Sequence, residues 1–302
     1  MRRPGEPLPE AVARYLQHLA AERRLSPHTV DAYRRDLESL LQLTTGRTLD
    51  TLGSPDIRGA VVRLRGQGLG PTSVARHLSS WRGFYTYACR RLGFTANPCV
   101  GLRPPKAPKR LPEPLSADAC AQLLDTREAD GDAALLTRDH AMFELLYSSG
   151  LRLAELAGLD LADVDLASGE AQVTGKGRKT RIVPVGRHAR AALAAWLPLR
   201  AALKPDSTAL FVSRRGTRLG PRSIQLRLQR WARQAGLAQH VHPHLLRHAF
   251  ATHVLQSSGD LRAVQDMLGH ASISTTQVYT HLDWQHLAKI YDQAHPRARR
   301  KS

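Results

Sequence analysis

The sequence is short of cysteine, of acidic residues and of long apolar runs. Its three cysteines among 302 residues (Cys89, Cys99 and Cys120) have no metal-like spacing, and their odd number argues against a disulfide framework. No stretch approaches 18 uncharged apolar residues, which excludes a transmembrane helix. Residues 1–6 are followed by an amphipathic pattern rather than by an apolar signal core. We therefore expect a cytoplasmic protein in a reducing compartment.

The scarcity of acidic residues leaves a large positive charge. The chain has 26 Asp and Glu against 44 Lys and Arg, a formal net charge of +18. Residues 1–110 hold 19 basic and 8 acidic residues, and residues 111–302 hold 25 and 18, so the excess is not confined to a tail. Codon bias can favour Arg over Lys, but it does not explain the excess over acids. The charge indicates a polyanionic partner, and two basic halves suit a protein that grips nucleic acid with two lobes.

Helical periodicity dominates residues 1 to about 95. Apolar residues recur at helical spacing in four stretches, and no strand-like alternation occurs before residue 100. Two of the stretches open with a Ser-Pro pair, Ser26-Pro27 and Ser54-Pro55, which is typical of a helix N-terminus. The pattern predicts a small helical bundle.

Residues 96–115 are rich in proline and basic residues, which predicts an extended linker; a solvated spacer is the alternative. Helical patterning returns at Ser116, and residues 170–174 and 180–185 are predicted strands joined by a basic turn. Further helices are predicted at 187–203, 221–235, 243–257, 260–269 and 272–281, with a candidate strand at 210–212. The basic residues Arg297, Arg299, Arg300 and Lys301 predict a disordered tail.

Two basic residues of the second half are candidates for binding a phosphate. Gly150 would end one helix and Arg152 would begin the next, with Glu155 on the same face. Lys176 lies between two glycines, which allow the backbone to approach another molecule closely. Taken alone, Arg152 is better explained as a surface residue paired with Glu155, and Lys176 as part of an ordinary turn.

Histidines are concentrated between residues 240 and 253. His244 and Arg247 are three residues apart and share a helical face. Neither a cysteine nor the His–Glu pattern of a metalloprotease is nearby, so we predict no metal and no cofactor. Further along the chain, His270 follows a glycine that would end a helix, and Tyr279 comes nine residues later. A lone tyrosine of this kind is usually a half-buried core residue.

Together, these residue types suffice for DNA strand transfer. Attack on a phosphodiester builds negative charge on the nonbridging oxygens, which arginine and histidine can stabilise without a metal. Lysine or histidine can protonate the leaving oxygen, and a tyrosine in a cationic pocket can be the nucleophile. A covalent phosphotyrosine conserves the bond energy, so the strand can be rejoined without ATP. Spacing alone does not establish this reaction.

The order of these motifs resembles the tyrosine recombinase (phage integrase) family. The match consists of Arg152 in SGLRLAEL, Lys176 in GKG, His244 and Arg247 in HLLRH, His270 in LGH, and Tyr279. Each piece alone is weak, but the combination is specific and covers nearly the whole chain. Within the family, residues 257–262, 279–283, 285–288 and 291–292 resemble the cellular Xer recombinases. Xer recombinases work as pairs of two types, and these residues resemble one type more than the other.

The resemblance implies a fold and a role for each residue. The fold would be mainly α with a small β-hairpin or sheet (α+β): a helical core-binding domain (1–95), the linker (96–115) and a mixed catalytic domain with a tail helix (116–302). Tyr279 would be the nucleophile, forming a 3′-phosphotyrosyl bond, while Arg152 and Arg247 clamp the scissile phosphate. His244 and His270 would support the phosphate and help proton transfer, and Lys176 would be the general acid. His248 is expected to be structural.

The resemblance also implies partners and leaves alternatives. The partners would be double-stranded DNA with a roughly palindromic site and a recombinase of the other Xer type, in a heterotetramer that separates joined chromosomes. A DNA-translocase activator is left open, and the helix from about Trp284 to Ala294 would dock on a neighbouring protomer or on its own core. The alternatives are a mobile-element integrase, a non-catalytic DNA-binding protein and a metal-dependent nuclease. The nuclease needs carboxylates near the histidines, and residues 240–259 contain none.

Overall fold

The computed structural model describes residues 8–105, 114–126, 132–175, 179–268, 290–291 and 293–297. Its internal contacts divide the chain into two compact units, Met1–Arg110 and Leu111–Ser302. Several sequence predictions lie outside the described residues: the linker from 106 to 113, Lys176, His270, the helix at 272–281 with Tyr279, and the tail residues Arg299, Arg300 and Lys301.

The first unit is helical, as its periodicity predicts. Its helices are α1 (Glu10–Ala21), α2 (Pro27–Leu43), α3 (Ser54–Gly66) and α4 (Pro71–Arg91). The predicted cap of α2 is confirmed, since Ser26 Oγ accepts a hydrogen bond from the backbone N–H of Thr29 at 3.3 Å. Each helix turns its apolar face inward, around the fully buried Trp81 and Phe84 of α4.

One buried carboxylate links two helices in the core of this unit. Asp36 of α2 is 1% exposed, forms an ion pair with Arg76 of α4 and lies 3.3 Å from Nε2 of His77 in the same helix. The indole N–H of Trp81 donates to the backbone carbonyl of Asp36 at 2.7 Å. Because the partners of a buried charge must meet in one geometry, these contacts fix how α2 crosses α4.

The three cysteines are free thiols in different surroundings. Cys89 of α4 is half-buried, whereas Cys99 and Cys120 are buried. Burial raises the pKa of both Cys99 and Cys120 to about 12, because it penalises the thiolate.

The second unit packs helices around a small sheet. Its helices are α5 (Ala117–Asp125), α6 (Ala133–Ser148), α7 (Leu153–Gly158), α8 (Arg187–Ala202), α9 (Pro221–Gln234), α10 (Pro243–Ser258) and α11 (Leu261–Leu268). Its strands are β1 (Val164–Asp165), β2 (Glu170–Thr174) and β3 (Thr180–Pro184), in the order β1-β2-β3 and antiparallel. The core centres on α6, where Met142, Phe143, Leu146 and Tyr147 are fully buried.

The predicted hairpin is confirmed at β2 and β3, which pair from Glu170↔Pro184 to Thr174↔Thr180. The candidate strand at 210–212 is wrong. Leu210 donates its N–H to the carbonyl of Leu159, whereas the carbonyl of Phe211 accepts from Leu219. Val212 forms an isolated bridge with Arg218, and Ala209, just before the run, forms one with Asp160. The run is therefore not part of a strand, because its two sides meet different segments.

The chain near Arg297 is ordered, in contrast to the predicted disordered tail. Arg297 is 9% exposed and donates to Glu144 Oε2 of α6 at 3.1 Å and to Asp125 Oδ1 of α5 at 3.0 Å. Upstream of it, Tyr291 and Ala294 belong to the core of the second unit. Arg297 is therefore a buried counter-charge for Glu144, which is itself fully buried.

The mainly α fold with a small antiparallel sheet is confirmed. Among the described residues, no helix is both long enough and apolar enough to cross a membrane.

Candidate active site

The candidate site begins at the tight turn between α6 and α7. Gly150 has φ +57°, and a Cβ at this position would lie 2.5 Å from the ring of Phe250 in α10. Only glycine fits both this backbone conformation and this close approach. Ser149 fastens the turn to the sheet, because its hydroxyl donates to the carbonyl of Pro184 at 2.6 Å.

Arg152 is the N-cap residue of α7, and Glu155 is the third residue of that helix. The Glu155 carboxylate accepts hydrogen bonds from the backbone N–H of Arg152 and from its Nη1, both at 2.8 Å. The side chain of Arg152 is 41% exposed, whereas that of Glu155 is 2% exposed. The predicted pairing is therefore present, and it holds an accessible guanidinium on a buried carboxylate.

A second arginine, Arg181 of β3, contacts the same carboxylate. Its Nη1 donates to Glu155 Oε1 at 2.8 Å and its Nη2 to Oε2 at 2.9 Å, a two-pronged contact. Burial opposes ionisation of Glu155, but the hydrogen bonds from Arg181 and Arg152 outweigh it and lower its pKa to about 2. Glu155 is thus ionised at neutral pH.

Arg247 of α10 approaches from the other side. It is 6% exposed, and its Nη1 lies 4.0 Å from Glu155 Oε2. Nη1 also donates to the carbonyl of Gly150 and Nη2 to the carbonyl of Leu268, both at 2.6 Å. Burial, with Arg152 and Arg181 nearby, lowers the pKa of Arg247 to about 10, so it stays protonated at neutral pH. We call Arg152, Glu155, Arg181 and Arg247 the Glu155 cluster.

His244 lies on the first turn of α10, one turn before Arg247. It is exposed, and its ring is nearly parallel to that of His242, with centroids 6.4 Å apart. His242 caps the helix, because its Nδ1 accepts from the N–H of Leu245 at 3.2 Å. Burial, and then the neighbouring His240 and His244, lower the pKa of His242 below its usual 6.5.

The cluster is suited to binding an anion. Three guanidiniums surround one ionised carboxylate, which leaves a net positive charge beside the exposed part of Arg152. A phosphate is the ligand that such a fork of donors matches in charge and geometry. Among the described residues, no group of three or more His, Cys, Asp or Glu is placed to hold a metal ion.

The structure brings together Arg152 and Arg247 of the predicted site residues, with His244 on the same helix as Arg247. Lys176, His270 and Tyr279 lie outside the described residues. The sequence does not single out Arg181. It gives no local signal for this residue, because the inward Arg181 and the 43% exposed Ile182 reverse the usual burial of apolar over charged side chains in a strand.

Comparison with known families gives two matches that together span most of the chain. Residues 113–286 match the phage integrase family, and residues 12–92 match its N-terminal SAM-like domain.

Curated relatives are similar along nearly the whole length. The tyrosine recombinase XerC of Pseudomonas aeruginosa strain LESB58 is 54% identical over 293 residues, which cover 95% of each chain. The protein of the same name from Pseudomonas fluorescens is 53% identical over 289 residues, covering 95% of this chain and 96% of the relative. These relatives carry the name of the Xer type, XerC, that the C-terminal residues are predicted to resemble.

Solved structures share the fold. XerH recombinase bound to a palindromic difH substrate is 21% identical, with a TM-score of 0.71 over 97% of this chain and 99% of its own. XerA recombinase is 32% identical, with a TM-score of 0.50 over 95% of this chain and 99% of its own.

Proposed function

This chain belongs to the phage integrase family of site-specific tyrosine recombinases, and we propose that it cuts and rejoins DNA through a 3′-phosphotyrosyl bond to Tyr279. The observation that supports the proposal most directly is the Glu155 cluster, which places Arg152 and Arg247 on one buried carboxylate. A site that must hold a phosphodiester needs guanidiniums in fixed positions, and this arrangement supplies two of them.

The proposed roles follow the family resemblance residue by residue. Arg152 and Arg247 clamp the scissile phosphate, and His244 and His270 support it and help proton transfer. Tyr279 gives its phenolic proton to one of these histidines as its oxygen attacks phosphorus, the bond from phosphorus to the 5′ oxygen breaks, and Lys176 gives that oxygen a proton. The reverse attack by a 5′ hydroxyl rejoins a strand, so each bond broken is replaced by a bond of similar energy. The proposed reaction therefore needs neither ATP nor a metal ion.

We infer a cellular role in separating joined chromosomes or plasmids at cell division. The support is the 54% identity to XerC recombinases over 95% of the chain. The proposed assembly is a heterotetramer with a XerD-type partner on two copies of a roughly palindromic site in double-stranded DNA, in the cytoplasm. Activation of the recombinase by a DNA translocase is a further expectation. A XerD-type recombinase or a mobile-element integrase is the alternative within the family.

The proposed domain limits also follow the family resemblance. They are a core-binding domain at 1–95, a basic linker at 96–115 and a catalytic domain at 116–302. The first would grip DNA together with the catalytic domain. Both halves of the chain carry an excess of basic residues, which supports a two-lobed grip.

The test is a covalent-adduct assay on nicked, end-labelled duplexes that carry candidate half-sites, with a XerD-type partner, in EDTA. Cleavage beside a nick releases a short fragment, so the phosphotyrosyl adduct is trapped and runs as a slow band on a denaturing gel. We expect the band with the wild type and not with Tyr279→Phe, which removes only the attacking oxygen. Binding without a band would favour a non-catalytic DNA-binding protein, and activity that EDTA abolishes would favour a metal-dependent nuclease.

A further inference from the structure

Arg181 joins three elements of the candidate site through one guanidinium. It lies on β3, where it pairs with Val173 of β2. Both Nη atoms donate to Glu155 of α7, and Nε donates to the backbone carbonyl of Met267 in α11 at 3.1 Å. The hairpin, the helix that begins at Arg152 and the end of α11 are therefore tied together at this side chain.

The contacts of Arg181 point to a role behind the site rather than in contact with DNA. Its side chain is about as buried as that of Arg247, but all three of its nitrogens donate to protein acceptors, whereas the contacts described above for Arg247 use only its two Nη atoms. Arg152, in contrast, keeps 41% of its side chain exposed. A phosphate can therefore reach Arg152 far more easily than Arg181.

The first contact of Arg181 bears on the orientation of Arg152. Arg152 is fastened to Glu155 by its backbone N–H and its Nη1, so the direction of its guanidinium depends on where the carboxylate lies. Arg181 grips both oxygens of that carboxylate and so fixes its plane. A lysine in its place would keep the charge but would not fix the plane of the carboxylate, because its ammonium is a compact charge with rotatable donors and lacks the rigid planar fork of a guanidinium.

The second contact bears on the end of α11. Met267 and Leu268 are its last two residues, and their carbonyls accept from Arg181 and Arg247, respectively. Terminal carbonyls have no partner within their own helix, and a cation beside them is favourable. The two arginines thus hold the point at which the chain leaves α11, two residues before His270 in the sequence.

We propose that Arg181 is a positioning residue for DNA cleavage, acting on Arg152 through Glu155 and on the end of α11 through the Met267 carbonyl. This inference rests on the proposed function. It adds to the reaction a residue that binds neither the phosphate nor the nucleophile.

The test compares Arg181→Lys with the wild type in single-turnover cleavage of the nicked duplex, at saturating protein. Because the charge is kept, the Kd for DNA should change little, whereas the cleavage rate should fall by about 100-fold, as small misplacements of catalytic groups do. The matched control is Arg200→Lys. Arg200 is also buried and donates to two backbone carbonyls, of Ala209 and Ser207, but it does not contact the Glu155 cluster. The control should lower thermal stability without slowing cleavage.

A double-mutant cycle separates positioning from general loss of structure. If Arg181 acts through Arg152, then Arg181→Lys should slow cleavage far less in an Arg152→Lys background than in the wild type. Independent, multiplying effects of the two substitutions would overturn the proposal. So would an Arg181→Lys protein that cleaves as fast as the wild type, an outcome that leaves the proposed function standing. If the wild type itself forms no adduct, the proposed function fails and this inference fails with it.

Discussion

At the scale of single residues, Glu155 is the only acidic member of its cluster. Three guanidiniums lie within 4.0 Å of its two oxygens, and the side chain is 2% exposed. Without this negative charge, Arg152, Arg181 and Arg247 would face one another unscreened in a poorly solvated place. Removing one partner of a buried ion pair is costly for the same reason.

We expect Glu155→Gln to lower the free energy of unfolding at neutral pH by about 3 kcal/mol. The figure follows from the pKa of Glu155, which the folded protein lowers from 4.5 to about 2. Because the folded pKa is the lower one, the ionised form stabilises the fold fully above pH 4.5, and this contribution is lost as the pH falls toward 2. Urea unfolding at a series of pH values measures it, with Glu170→Gln on β2 as the control. A stability gap between wild type and Glu155→Gln that does not narrow in acid would contradict the assignment.

Replacing Gly150 should destabilise the fold strongly even when the substitution adds only one methyl group. We expect Gly150→Ala to cost at least about 2 kcal/mol, because it adds a left-handed strain and a Cβ 2.5 Å from Phe250. The carbonyl of Gly150 is also a partner of Arg247, so DNA cleavage should fall as well. Gly259→Ala is the control, since Gly259 has φ +68° with open space around it. Equal losses of stability in the two variants would show that the Phe250 contact is unimportant.

What the sequence can predict about single residues depends on how far apart the partners are in the chain. Arg152 and Glu155 are three residues apart, so helical spacing alone predicts their pairing. Arg181 and Glu155 are 26 residues apart, and Arg297 and Glu144 are 153 apart. No local pattern encodes such contacts. This is why sequence patterns do not single out Arg181 and predict a disordered tail at Arg297.

At the scale of elements, α10 has well-defined caps at both ends. His242 caps its N-terminus by accepting from Leu245, and Gly259 ends it in the left-handed conformation. The first turn carries His244 and the second carries Arg247. The direction in which these two side chains point therefore depends on the histidine cap.

The cap should make stability depend on pH. His242 must be neutral at Nδ1 to accept its hydrogen bond, and its folded pKa is lowered by burial and by His240 and His244. Its stabilisation is thus present above its usual pKa of 6.5 and is lost as the pH falls below that value. We expect His242→Asn, which caps without titrating, to lose less stability than the wild type between about pH 7 and pH 5. Thermal unfolding of both proteins checks this, with His248→Asn as the control; parallel curves for wild type and His242→Asn would exclude a titrating cap.

Elements are predictable where their signal is local. The predicted helix at 187–203 is observed as Arg187–Ala202, and that at 243–257 as Pro243–Ser258, because apolar spacing and caps are read within one element. The run at 210–212 has the composition of a strand but lacks one continuous partner strand. Strand pairing is a property of two distant segments, which a single run does not reveal.

At the scale of the whole molecule, charge dominates the expected behaviour. The net charge of +18 is shared by both halves, so DNA binding should release counterions along an extended contact. If 6–10 phosphates are neutralised, affinity should fall by about 10³–10⁵-fold between 50 and 200 mM salt. Fluorescence anisotropy of a labelled half-site across this range measures the slope, and a nearly flat response would argue against a two-lobed grip.

The burial of two of the three cysteines has a practical consequence. Thiol-directed dyes react with the thiolate, and Cys99 and Cys120 are both buried and have pKa values of about 12. Only Cys89, on the last turns of α4, is half-exposed. A maleimide fluorophore at neutral pH should therefore label the unaltered chain at Cys89, in its N-terminal unit. The fluorescence of this single label could then report the binding of that unit to DNA.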